Sequence, residues 1–187
     1  MDNKNISTTL SSSDTIKKMV FASLFATMIA IGAHISIPIP FSPVPSTLQT
    51  FFVFIAGAML GIKWGSISVI IYIFIGIVGF PVFAGGTSGF GVLIGPTGGY
   101  IIGFIFAAAI IGALCEKKGT PNILFNILFM AVGLFTVYLF GIPQLMLIAD
   151  ISFSKAIAVG MVPFLMGGLV EIIVASFIVK KFPILHD

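Results

Sequence analysis

This sequence is poor in charge. Only 8% of its 187 residues are charged, and arginine is absent altogether. With 58% hydrophobic residues and a mean hydropathy of +1.21, the chain cannot clothe a soluble domain in polar surface, so it belongs in lipid. Histidine and cysteine are scarcer still. His34 and His186 are the only imidazoles and Cys115 the only thiol, so neither an H-E-x-x-H zinc site nor a Cys/His cluster can be assembled, and no metal is expected. There is no G-x-S-x-G elbow for a hydrolase, for which His34 would be the sole base. The glycines do not spell G-x-x-x-x-G-K-[ST], which removes a phosphate-cradling P-loop and with it ATP hydrolysis by this chain alone. No catalytic residue, cofactor or nucleic-acid partner is assigned.

What is present is a series of apolar runs between polar or Pro/Gly breaks, near 16–37, 47–62, 64–79, 98–115, 121–141 and 162–181. They predict an all-α integral membrane protein with six transmembrane helices, flanked by an N-terminal tail over 1–15 and a C-terminal tail over 182–187. Several runs have only about 16 residues, roughly 24 Å of helix against a hydrocarbon core of ~30 Å. Gly57 to Gly61, Gly61 to Gly65 and Gly99 to Gly103 carry the spacing that lets helices approach closely. Ala22, Ala26 and Ala30 make another smooth stripe, which by itself suits generic bundle packing. The first run lacks a small-residue cleavage site and flows into "PIPFSPVP", so it reads as a retained helix.

Lysine placement orients the bundle. With the N-terminus inside, Lys4, Lys17, Lys18, Lys63, Lys117, Lys118, Lys180 and Lys181 fall on the cytoplasmic side and only Lys155 outside, so both termini are expected in the cytoplasm of a multi-pass cell-membrane protein. Two Pro/Gly-rich segments then face out: "IPIPFSPVPSTLQT" and "GFPVFAGGTSGFGVLIGPTGGY", the second holding eight of the chain's 21 glycines. Irregular backbone exposed to hydrocarbon would leave peptide groups unsatisfied at several kcal/mol each, so these loops are expected to line a cavity or serve as a lid.

Polar residues within the membrane are few. Glu171 lies about 12 Å in from the outer face if the last helix starts at Pro163, and a carboxylate there faces a cavity, carries a partner or becomes protonated. Gln49, near the outer end of the second run, suits a hydrogen bond to a substrate or to another helix. Asp150 and Lys155 are expected as a solvated pair in an external loop, and Asn122 and Asn126 in capping or interhelical bonds.

"PIPFSPVPSTLQT", then "GFPVFAGGTSG" followed by "GPTGGYIIGF", resemble the BioY family, the biotin-binding S components of energy-coupling factor (ECF) vitamin transporters. The resemblance runs from about residue 16 to 181. It implies a substrate-capture subunit with no enzymatic activity, whose external loops close over a vitamin in the outer half of the bundle. It also implies assembly with a transmembrane T component and two ABC-type ATPase subunits, the T component docking on Ala22, Ala26 and Ala30. The candidate substrate-binding set is Gln49, Phe83, Gly85, Gly86, Thr97, Gly98, Tyr100, Gly168 and Glu171. At the last helix the family pattern P-F-x-x-G-D-x-x-K is met by "PFLMGGLVE", with Gly168 at the Asp position and Glu171 at the Lys position. A biotin carboxylate would there lose a charge-assisted partner worth roughly 1.5 to 3 kcal/mol. The alternatives are a biotin-related compound or other small vitamin, and a membrane assembly partner with no transport role.

Overall fold

A computed structural model describes residues 3–119 and 122–182, with side chains from Asp14 onward. His186 and residues 183–187 of the expected C-terminal tail lie outside them. The elements are helices α1 (Asn3–His34), α2 (Gln49–Ile77), α3 (Gly98–Lys118), α4 (Ile123–Ala149), α5 (Phe153–Gly160) and α6 (Leu165–Lys181). A two-residue antiparallel ladder of β1 (Ser36–Ile37) and β2 (Ser46–Thr47) closes the loop after α1.

Among the described residues, five helical stretches are long and apolar enough to cross a membrane: Asp14–His34, Gln49–Ile77, Gly98–Lys118, Ile123–Ala149 and Phe153–Lys181. The expected runs 47–62 and 64–79 fall together in α2, yet α2 is not straight. Its Gly61 has φ 77° and ψ −174°, a conformation open in practice only to glycine. A straight helix would set Gln49 and Tyr72 about 35 Å apart, whereas Gln49 Nε2 donates a hydrogen bond to the Tyr72 hydroxyl. A Cβ on Gly65 would stand 2.9 Å from Gly57 Cα. The chain therefore doubles back at Gly61, and its small residues let the two arms touch. The tip of this hairpin rests on α3, where a side chain at Gly112 would overlap the backbone of Gly61 and Ile62, and Ile62 N donates to Glu116 Oε1 at 2.9 Å.

Helix α3 packs between α2 and α4. Gly99 and Gly103 lie directly against Phe140 and Val137 of α4, so this small-residue pair does serve close packing. Asn122 caps α4 by accepting from Phe125 N at 3.0 Å. Asn126 is buried, and neither its side-chain nitrogen nor its oxygen has a hydrogen-bond partner. The short helix α5, absent from the sequence reading, begins with Ser152 accepting from Lys155 N. Asp150 and Lys155 are both exposed but form no ion pair with each other.

Ala22 and Ala26 are buried in the chain's own core and Ala30 is partly buried, on a helix whose main neighbour is α2. Small side chains allow that close approach. The outward surface is instead made of large apolar side chains, among them Leu124, Leu128 and Phe135 on α4 and Leu169, Ile173 and Phe177 on α6, as befits contact with lipid.

Candidate functional site

One face each of α3, α4 and α6 turns toward a common cavity of about 560 Å³, within the range of small-molecule sites. Tyr100, Ile101 and Phe104 line it from α3, Leu134, Val137 and Tyr138 from α4, and Gly168 and Glu171 from α6, with Phe164 just before. The three-to-four-residue spacing in each set is one helical face. Counting inward from the loops, Phe104, Leu134 and Glu171 are the deepest contributions of their helices and form the floor. The mouth is built by residues Pro43–Thr47 with Gln49 and Thr50, and by Ala84, Thr87, Ser88, Gly91, Val92, Gly95, Pro96 and Thr97. Irregular backbone thus sits where it borders a cavity.

The glycine-rich segment is pinned at two points. Phe83 is completely buried, its ring edge-on to Tyr72 with centroids 5.6 Å apart, in a slot that exists because Gly76 has no side chain. Gly89 N adds a 2.8 Å hydrogen bond to Gly76 O. At the other end Gln144 Nε2, on α4, donates to the carbonyls of Leu93 and Gly95, each at 2.8 Å. Between the pins the chain forms two short 3-10 turns, Ala84–Gly86 and Phe90–Val92, with Gly85, Gly86 and Gly89 at positive φ.

Of the nine residues singled out in the sequence, Gln49, Thr97, Tyr100, Gly168 and Glu171 border the cavity; Phe83, Gly85, Gly86 and Gly98 do not. Phe83 points away, into its slot. Gly85 and Gly86 shape the turn through their backbone. Gly98 lies against the Leu93 carbonyl and Gln144, where any side chain would collide. Gln49 is buried and already engaged: it donates to Tyr72, and its Oε1 accepts from Thr47 Oγ1 at 3.0 Å. Tyr100 presents its ring to the cavity while its hydroxyl donates to Gly160 O at 2.9 Å, tying α3 to α5. Tyr138, which shares the inner half of the cavity with Glu171, and Gln144 were missed. Both are polar groups inside an apolar helix, the signal that singled out Glu171 and that applied equally to them.

A model of the BioY family matches residues 3–185. The "Biotin transporter BioY" of Thermotoga maritima is 42% identical over 89% of this chain and 95% of its own. The "Probable biotin transporter BioY" of Pyrococcus horikoshii is 38% identical over 88% and 95%, and the "Biotin transporter BioY" of Rhizobium etli 34% identical over 87% and 90%. Among solved structures, one described as the S component for biotin from an ECF-type ABC transporter superposes with a TM-score of 0.84 at 27% identity, covering 97% of this chain and 93% of that one. Agreement in sequence and fold over nearly the whole length of both partners has one reading: this chain belongs to the BioY family.

Proposed function

We propose that this chain is the substrate-capture subunit of an ECF-type vitamin uptake transporter, and that its substrate is biotin. The observation that carries this reading is the cavity of about 560 Å³ roofed by two irregular loops and floored inside the helical bundle, which is a place to hold a small molecule rather than a path through the chain. The names of the relatives select biotin among vitamins. Gln49, Thr97, Tyr100, Gly168 and Glu171 belong to the binding site; Phe83, Gly85, Gly86 and Gly98 support the loops as a lid. Energy comes from elsewhere, through a transmembrane T component and two ABC-type ATPase subunits, since the sequence carries no P-loop of its own.

Small molecules released from the purified protein and weighed by mass spectrometry test the assignment. Biotin is the expected mass. A different vitamin would keep the transport role and replace the substrate, whereas an empty protein that also fails to bind added biotin would favour an assembly partner.

The same reading counts the two arms of α2 as separate short crossings, which makes six crossings in the domain over 16–181 and returns both termini to the cytoplasm. The Gly61 turn and the α3 terminus are bonded together through Glu116, and Lys63, Lys117 and Lys118 sit beside them, so the lysines gather at the end away from the cavity mouth. A reporter active only outside the cell is expected to stay silent when fused to either terminus. Activity at the C-terminus alone would mean that α2 crosses an odd number of times.

A further inference from the structure

The cavity carries its polarity unevenly. Hydroxyls of Ser46, Thr50, Ser88 and Thr97 edge the mouth, Ile101 and Val137 make an apolar middle, and Glu171 stands at the floor as its one acidic group, beside Phe104 and Leu134. No lysine or histidine lines any part of it, and the chain has no arginine. Lys155 is exposed and outside the lining, and the exposed His34 directs its ring to Ala30 O. Glu171 itself has no hydrogen bond or ion pair to any described residue. Its only titratable companions in the wall are Tyr100, whose hydroxyl is already given to Gly160, and Tyr138.

A carboxylate without a cation, in a space of low polarity, accepts N–H donors and repels a second anion. From Phe164 at the outer end of the lining stripe to Glu171 is seven residues, about 10 Å of helix, so a ligand that fills the cavity is held with one end at each pole. Resting on the biotin reading above, we infer that Glu171 receives the N–H donor end of the ligand: the ureido ring goes to the floor and the carboxylate stays at the mouth among the hydroxyls. The site is then selective for molecules with paired N–H donors or a cation at one end, and it tolerates either an acid or a neutral amide at the other. With the two anions at opposite poles, and the ligand's acid in the water at the mouth, their repulsion is several times weaker than at contact, which is why an anionic vitamin can still be accepted by an anionic floor.

The test uses the purified full-length chain and three probes: biotin, biotinamide with its acid end capped, and biotin methylated on the ureido nitrogens. Biotinamide is expected to bind with a Kd no more than about 20-fold below that of biotin, the repulsion of two charges about 10 Å apart, and the ureido-methylated compound at least about 10-fold more weakly than biotin, the range of a lost charge-assisted hydrogen bond. Glu171→Gln should weaken biotin by about 10- to 100-fold for the same reason. Biotinamide binding about 100-fold or more tighter than biotin would place the acid end against Glu171 and overturn the inference, as would full binding of the methylated compound. The comparison among ligands needs no variant, so it decides the matter even if Glu171→Gln fails to fold. If the protein binds none of the three probes, the biotin assignment itself fails, and the orientation fails with it.

Discussion

Phe83→Ala is expected to abolish stable ligand retention while leaving the helical bundle assembled. The ring is wholly buried against Tyr72 and the bare backbone of Gly76, and removing a buried phenylalanine costs about 3–5 kcal/mol. That loss falls on a loop, not on a helix, so it is spent on local opening: residues 79–92 lose their inner anchor while Gln144 still holds Leu93 and Gly95. Because Tyr72 also holds Gln49, and Gln49 holds Thr47, the disturbance reaches the other loop at the mouth. Bound vitamin should leave during gel filtration, and amide exchange should rise over 79–92 with little change in α3 and α4. Gly76→Leu, which fills the slot from the opposite side, should give the same phenotype. Unaltered retention in both variants would show that the loop closes without Phe83.

Gly112→Leu should be more damaging still, and globally so. A side chain there runs into the backbone of Gly61 and Ile62, and backbone at a tight turn has no rotamer with which to move aside. Overpacking in a well-filled interior costs about 1–3 kcal/mol when side chains can adjust, and this site sits at or above the top of that range. The hairpin would be lifted off α3, breaking the Ile62 to Glu116 hydrogen bond and removing the contact that lets α2 turn back. The expected outcome is loss of monodisperse protein after extraction in mild detergent, with Gly112→Ala intermediate. Wild-type yield and melting temperature for Gly112→Leu would mean that the Gly61 turn does not pack on α3.

The cavity's wall was only half legible. Glu171 and Tyr100 were singled out, and so was the glycine-rich segment as a whole. Which of its residues face inward was not. Phe83 was counted among the ligand contacts on the family resemblance; its ring instead fills a slot left by Gly76, which the loop's own sequence does not reveal. Gln49 stayed open between a substrate and another helix because its partner Tyr72 is 23 residues away, across a reversal at Gly61 that reads as one more small residue in an apolar run.

By itself, the sequence determined that the chain lies in lipid, that its apolar runs are helices, and that two Gly/Pro-rich segments interrupt them, because hydrophobicity and the backbone preferences of glycine and proline act within a few residues. The tertiary structure decided which side of each helix is inside. A helix in a membrane is apolar all round, so lipid-facing Leu128 and Phe135 and cavity-lining Leu134 and Val137 are chemically alike, and Ala22 can face a partner or its own chain with equal propriety. Close approach at glycines breaks that symmetry, the Gly61–Ile62 backbone against Gly112, the Phe83 ring against Gly76 and Phe140 against Gly99, since steric fit between distant segments chooses the buried face where composition cannot.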